Sequence, residues 1–222
     1  MSIKVIHLRK LLKIMYLPNN GQISALRNDI REDIAKENGA ASAGGDFYGP
    51  FWKDAKDHAI GKADLHDAVD QRILSNPARS NLYPQLRDGF LLWWNERRRW
   101  TNAPFEEIIA PNARLHLPSL DANLKVDNFL AVRDARNINH YIYPYFSPSP
   151  ILDKEAARIG LWVIGRALPS LNWDEVRILD VLRGNTFDVD RSPLGSGLIG
   201  HSQKMTVAAS ATAEKKTVGQ RS

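Results

Sequence analysis

The 222-residue chain has 43% hydrophobic residues, six tryptophans and a net charge of +5, which indicates a globular protein with a sizeable core. It contains no cysteine, so disulfides, thiolate zinc sites, iron–sulfur clusters and cysteine nucleophiles are excluded. No apolar run approaches the ~18 residues that span a bilayer, so no membrane association is expected and the protein is predicted to be cytoplasmic.

The amino-terminal region, residues 1–110, is predicted to be mainly helical. Its first stretch, MSIKVIHLRKLLKIMY, interleaves basic and apolar residues and lacks a small-residue cleavage site, which favours an amphipathic helix over a signal peptide. The apolar stripe of this helix comprises Leu8, Leu11, Leu12 and Met15. Further helices are predicted over 24–39, 50–60, 64–74 and 82–100, with N-caps at Ser24 and Asp64.

Residues 111–194 are predicted to be rich in β-strand, because their apolar residues alternate with period two. The predicted elements are strands over 114–117, 124–132 and 138–146, a helix over 153–168 capped by Asp153, and a hairpin over 175–190 around Gly184–Asn185. We therefore expect an α+β protein, with a helical amino-terminal half followed by a small mixed β-sheet and one crossing helix. The two regions are expected to form one globular unit.

Residues 195–222 are predicted to be a disordered basic tail, because they are rich in Gly, Ser, Ala and Thr without a sustained period. The segment carries four basic residues and one acidic residue, so residues 1–194 hold only +2 of the net charge. A body this close to neutral does not by itself indicate binding to nucleic acid.

The strand NHYIYPYF is aromatic on one side. Alternation places Tyr141, Tyr143 and Tyr145 on one face, and the opposite face carries His140, Ile142, Pro144 and Phe146. The tyrosines either pack under the 153–168 helix or form an exposed stacking face for a nucleic-acid strand or a peptide. Packing is the favoured interpretation.

The run NERRRW at 95–100 is the best candidate for contact with nucleic acid. Arg97, Arg98 and Arg99 could bind phosphate while the flanking tryptophans stack on bases. Consecutive helix residues turn by about 100° each, so the three arginines form one compact patch only if the helix ends there. We favour the alternative of a helix carboxyl terminus, where cations interact with the dipole and cover apolar surface.

The order helix, three strands, helix, strand over roughly residues 80–190 resembles the core of the PD-(D/E)XK nucleases, the restriction-endonuclease-like fold. The resemblance implies a metal-binding acid at Asp127 in LKVDNFLAV, where the family holds a divalent ion that activates water. The family's acid-x-lysine triplet has no counterpart in HYIYPYF, and Arg158 and Trp162 stand where some members carry a Gln-x-x-x-Tyr pair. The resemblance therefore implies a catalytically inactive copy. The stretch from Arg158 to Leu194 is also similar to a group of bacterial proteins of uncharacterised function, which implies a bacterial setting but no particular activity.

Asp180 is a carboxylate inside the otherwise apolar strand VRILDVLRG, so it needs a partner or an exposed face. Arg177 and Arg183 lie at odd offsets and are predicted to point to the opposite side, which favours a structural partner on another element over a catalytic role. No metal site is predicted, because the densest group of acidic and histidine residues, around Asp54 and His58, is interpreted as a solvated helix surface.

No phosphate-binding loop, dinucleotide fingerprint or nucleophile elbow occurs, so no cofactor is expected. The first hypothesis is a non-catalytic binding or accessory protein whose partner is a protein or a nucleic acid. The second is a divergent metal-dependent nuclease that uses Asp127 together with Glu106, Glu107 or Asp180. The third is a structural subunit of a homo-oligomer.

Overall fold

The computed structural model describes residues 5–17, 47–117 and 122–189, together with Gly21 and Ser24. Most of the helix predicted over 24–39 and the whole predicted tail, 195–222, lie outside the described residues. Within the described part, no helix is both long and apolar enough to cross a membrane.

The α-helices follow the periodic stretches of the sequence. They are α1 (Leu8–Met15), α2 (Gly49–Ala59), α3 (Leu65–Ser75), α4 (Leu82–Leu92) and α5 (Lys154–Ala167). The predicted caps of α3 and α5 are confirmed, since the Asp64 carboxylate accepts from two backbone N–H groups and that of Asp153 accepts from Ala156. The predicted helix over 82–100 is shorter than expected: a π-helical turn, Trp93–Arg97, follows α4, and Arg98 is extended.

Eight strands form two sheets in the described part of the chain. They are β1 (Val5–His7), β2 (Glu106–Glu107), β3 (Ala113–Leu117), β4 (Ala122–Val126), β5 (Leu130–Arg133), β6 (Asn139–Tyr145), β7 (Val176–Asp180) and β8 (Asn185–Asp188). The smaller sheet has the order β1-β4-β3 and the larger one β2-β5-β6-β7-β8. Pairs β1–β4 and β6–β7 are parallel and the others antiparallel, so both sheets are mixed and the α+β class is confirmed.

Two predictions about the strands are wrong. The predicted strand over 124–132 is broken at Asp127–Phe129, so β4 belongs to the small sheet and β5 to the large one. Asn128 has a left-handed backbone with φ of 68°, which no regular strand accommodates. Residues Val5–His7 form a strand in the region predicted as helical, since they pair with β4 before α1 begins.

The five-stranded sheet lies between two hydrophobic clusters. On one face, Tyr141, Tyr143 and Tyr145 pack with α1, α5 and the apolar face of the small sheet. On the other face, Ile142 and Phe146 pack with α2, α3 and α4. The central strand β6 is therefore covered on both sides, which explains why almost all of its residues are buried.

The second half of the large sheet agrees with its predicted connections. Helix α5 connects the parallel strands β6 and β7, as the one crossing helix of the prediction. Strands β7 and β8 form the predicted hairpin, in which Asp180 pairs with Asn185 and Gly184 takes a left-handed φ of 58°. The turn lies tightly against α4, because a Cβ placed on Gly89 would stand 2.2 Å from the Val181 carbonyl oxygen.

Candidate functional site

The tyrosines of β6 are core residues rather than a stacking platform. Tyr141, Tyr143 and Tyr145 are 9%, 3% and 1% exposed, so none presents a ring face to solvent. The Tyr143 hydroxyl accepts a hydrogen bond from the backbone N–H of Arg9 at 2.8 Å, and the Tyr145 hydroxyl donates to the Pro150 carbonyl at 2.6 Å. This arrangement is the favoured sequence interpretation, with the hydroxyl groups joining β6 to its neighbours.

The three consecutive arginines point in different directions. Arg97 donates to the Arg183 carbonyl and to Asn185 Oδ1, which attaches the π-helical turn to the β7–β8 hairpin. Arg98 stacks 3.7 Å from the Trp94 ring, and desolvation lowers its pKa to about 10. Arg99 is exposed. The helix does end within the run, because the π-helical turn stops at Arg97 and Arg98 is extended, and the three side chains then have three different surroundings.

Asp180 is held in a structural ion pair. Its carboxylate is 1% exposed and accepts from Arg183 Nη1, with a separation of 3.1 Å to Oδ2. Desolvation raises its pKa, although Arg183 acts in the opposite direction. The prediction that Arg183 points away from Asp180 is wrong because β7 ends at Asp180, and the following turn brings residue i+3 back over the carboxylate.

The acids proposed for a nuclease centre do not assemble with one another. Glu106 and Glu107 are exposed on β2, where Glu107 pairs with Lys62 at 2.8 Å. Among the described residues, no group of three or more His, Asp or Glu side chains is placed to hold a metal ion. The prediction that Asp54 lies on a solvated helix surface is wrong, because Asp54 is buried and accepts two hydrogen bonds from Arg72.

Asp127 is a predicted site residue that lies in a pocket, and Tyr143 lines the same pocket. The pocket has a volume of about 400 Å³ and opens beside the break between β4 and β5. Its lining comprises His7, Arg9, Gly49, Lys125, Asp127, Asn128, Tyr143, Pro144 and Phe146. We call these residues the polar pocket, since most of the side chains that reach it carry hydrogen-bonding groups.

Asp127 lies between two basic side chains in the polar pocket. Its Oδ1 lies 3.5 Å from His7 Nδ1 and its Oδ2 lies 2.7 Å from Lys125 Nζ. The hydrogen bond from His7 and the contact with Lys125 lower the pKa of Asp127 to about 2, against an opposing effect of burial. The carboxylate is therefore ionised at neutral pH and orients both basic groups.

The strand register brings these three residues together. His7 on β1 is the direct partner of Lys125 on β4, so both side chains leave the small sheet on the same face. Asp127 follows Lys125 by two positions and continues on that side. The next residue, Asn128, accepts from Trp52 Nε1 through its carbonyl oxygen and from Lys56 Nζ through Oδ1, at 2.8 and 3.0 Å. These bonds hold the β4–β5 connection against α2.

Two helices begin at the polar pocket without a side-chain cap. His7 is the N-cap of α1, and Gly49 is the first residue of α2. Neither helix has an acidic residue in its first turn, whereas α3 and α5 begin at capping aspartates. Helix amino termini carry a partial positive charge and N–H groups without intrahelical partners, so both ends add to the positive potential of the pocket.

The chemistry available in the polar pocket is that of anion recognition. Lys125 and Arg9 are cations, and His7 adds a further positive charge when it is protonated. Burial raises the pKa of Tyr143, so its hydroxyl stays protonated. Among the residues that line the pocket, none is a serine, threonine or cysteine that could act as a nucleophile.

Of the polar residues that line the pocket, the sequence interpretation named Asp127 and, as a stacking residue, Tyr143, but missed His7, Arg9, Lys125 and Asn128. Lys125 could have been predicted from its spacing to Asp127, because residues i and i+2 of a strand share a face. His7 and Arg9 carried no local signal, since their approach depends on the pairing of β1 with a strand more than a hundred residues later.

Comparison of the chain with family models, with curated proteins and with solved structures found no match. The restriction-endonuclease-like resemblance therefore stays a prediction.

Proposed function

We propose that this protein is a non-catalytic binding protein whose polar pocket holds an anionic group, a phosphate or a carboxylate, of its partner. The observation that carries the proposal is the convergence of Lys125 and His7 on one carboxylate, in a pocket that Arg9 also lines and where two uncapped helices begin. Charged donors and helix amino termini are the groups with which proteins bind anions.

Asp127 has an orienting role in this proposal. It occupies one face of Lys125 and His7 and leaves their remaining donors for a ligand. A lysine ammonium has three N–H donors, so one contact with Asp127 does not saturate it. The Tyr143 hydroxyl accepts from the Arg9 backbone, and its own proton is available to a ligand oxygen. The pocket can thus offer several donors to one group of oxygen atoms.

Binding is better supported than metal-dependent cleavage. Metal-dependent cleavage needs several carboxylate or imidazole ligands around one ion that activates water. In the described residues, Asp127 is instead committed to Lys125 and His7, and Asp180 to Arg183. The two proposals predict opposite effects for one substitution, which makes them separable.

The decisive variant is Asp127→Asn. Because the carboxylate is ionised at neutral pH, the substitution removes one negative charge from the polar pocket. At an effective dielectric constant between that of water and that of a protein surface, this charge opposes an incoming anion by about 1 kcal/mol. We expect binding of inorganic phosphate or acetate to tighten about fivefold, measured by isothermal titration calorimetry. A nuclease would instead lose its metal-dependent cleavage.

Lys125→Met tests the cation. A hydrogen bond to a charged group contributes about 1.5–3 kcal/mol, so we expect anion affinity to fall about tenfold or more. Lys53→Met is the matched control, since Lys53 contacts Asp57 at the same 2.7 Å as Lys125 contacts Asp127. Equal affinity in both variants, or Mg²⁺-dependent cleavage that Asp127→Asn abolishes, would contradict the proposed function.

A further inference from the structure

The small sheet has one polar face that continues from the polar pocket. In the register of the sheet, His7, Lys125 and Arg114 are partners across β1, β4 and β3. The neighbouring row on the same face holds Asn123 and His116, with the apolar Val5 at its β1 end. The opposite face carries Ile6, Leu124 and Leu115, which pack in the core. Alternation along the three strands thus separates an apolar buried face from a basic outer one.

The charge on this outer face is mainly positive. Lys125 and Arg114 carry full charges, and Arg114 and His116 are exposed. None of the three strands contains an acidic residue, and Asp127, which follows β4, already contacts Lys125 and His7. Neighbouring strands lie about 4.8 Å apart, so the row from His7 to Arg114 spans about 10 Å. That length exceeds a single phosphate or carboxylate group.

The ligand that uses both the pocket and the row is a chain of anionic groups. Extended peptides are usually recognised by strand addition together with pockets for alternate side chains. The outer face described here offers polar and basic side chains instead of such pockets. The exposed Arg114 and the half-buried Lys125 give the row two cations, which suit a phosphate backbone with a charge at every nucleotide, and open sheet faces are common platforms for single strands.

We infer that the anionic group in the polar pocket is the terminal phosphate of a single-stranded nucleic acid, and that the following phosphates lie along Arg114 and His116. This inference rests on the proposed function, because it names the class of ligand that the same pocket takes. It differs from the sequence-based candidates, since the arginine run at 97–99 takes no part, and the one β6 tyrosine that lines the pocket, Tyr143, offers its hydroxyl group rather than a stacking face.

The test compares short oligonucleotides by fluorescence anisotropy, with the dye on the end opposite the terminal phosphate. We expect a terminally phosphorylated strand of about ten nucleotides, which is longer than the row, to bind at least about tenfold tighter than the same strand with a terminal hydroxyl. For single strands the logarithm of affinity falls with the logarithm of salt by about 0.7 per phosphate neutralised. The double variant Arg114→Gln/His116→Gln should bind the strand more weakly and with a shallower salt slope.

Two controls separate this inference from the proposed function. Arg133→Gln removes an exposed arginine from β5 and should leave oligonucleotide binding unchanged. The Arg114→Gln/His116→Gln variant should keep its affinity for inorganic phosphate, because neither residue lines the polar pocket.

The outcomes are distinct. Phosphate binding that depends on Lys125, combined with equal affinity for phosphorylated and unphosphorylated strands, would overturn the inference and leave the proposed function standing. Equal competition by polyglutamate would overturn it in favour of an acidic protein partner. If the wild-type protein binds neither inorganic phosphate nor oligonucleotides, the inference and the proposed function are both wrong.

Discussion

Removing Arg183 should destabilise the fold severely, because it leaves the buried carboxylate of Asp180 without its ion-pair partner. The Asp180 side chain is 1% exposed, and Arg183, at 27%, is its cation. Arg183 Nη1 reaches both carboxylate oxygens at 3.2 and 3.1 Å, and its Nη2 donates to the Pro148 carbonyl at 2.7 Å. Arg183→Ala therefore removes the ion pair and a contact between the β7–β8 hairpin and the loop after β6.

The expected magnitude follows from burial. Removing one partner of a buried ion pair costs about 3–5 kcal/mol. The lower end applies here, because Arg183 is partly solvated and its contribution is screened. We expect Arg183→Ala to lower the free energy of unfolding in urea by about 3 kcal/mol at neutral pH. Arg97→Ala is the matched control: Arg97 donates to the same hairpin but, within the described part of the chain, contacts no buried acid, so about 1 kcal/mol is expected.

The pH dependence identifies the cause. Burial raises the pKa of Asp180 above its unfolded value, and removal of Arg183 raises it further. The folded state then binds a proton more tightly than the unfolded state, so the penalty is full above the folded pKa and fades as pH falls through it. The difference between Arg183→Ala and wild type should therefore shrink from about pH 7 to about pH 4.5. In the Asp180→Asn background, the destabilisation caused by Arg183→Ala should be small at both pH values. Two results would contradict this explanation. The first is a decrease in the free energy of unfolding of less than about 1 kcal/mol for Arg183→Ala, and the second is a decrease that changes neither with pH nor in the Asp180→Asn background.

Two further predictions concern the core. Burial alone would raise the pKa of Asp134, but hydrogen bonds from Ile138, Asn102 and other donors lower it to about 2. The ionised carboxylate therefore stabilises the folded state fully above the unfolded pKa of about 4, and this stabilisation is lost as the pH falls towards 2. Asp134→Asn should flatten the acid limb of the stability curve in that window, and an unchanged limb in circular dichroism would contradict this. Gly89→Ala should cost about 3 kcal/mol, because its Cβ meets the rigid Val181 carbonyl at 2.2 Å. Gly165→Ala should cost about 1 kcal/mol, because it displaces the partly exposed ring of Trp173; equal losses in the two melts would be inconsistent with this difference.

Local periodicity was enough to predict the elements that pack within one stretch of chain. The α5 boundaries followed from the Asp153 cap and from Pro169, and alternation along β6 assigned Tyr143 to one cluster and Ile142 to the other. The β7–β8 hairpin followed from Gly184. Each of these signals lies within a few residues of the feature that it predicts, which is why the sequence alone contained it.

The small sheet could not be predicted in this way. It depends on pairing between β1 and β4, which are separated by more than a hundred residues, and three residues are too few for a period-two signal. The break after β4 leaves one trace in the sequence, because Asn128 is polar where the alternation of LKVDNFLAV requires an apolar residue, but this single substitution does not reveal that Asn128 adopts a left-handed backbone. The polar pocket could not be predicted from local patterns either, since its basic residues come from both sides of the β1–β4 pairing.

The break between β4 and β5 also explains why a pocket forms at this place. A chain that leaves one sheet for another exposes backbone groups that need partners. Here the Asn128 carbonyl is satisfied by the Trp52 indole and its side chain by Lys56, so α2 is fixed against the break. The start of α2 is thereby held beside the start of α1, which the β1–β4 pairing brings to the same edge. The connection that divides the two sheets thus also places two helix amino termini and the Asp127 carboxylate around one hollow, and the basic side chains there keep Asp127 ionised.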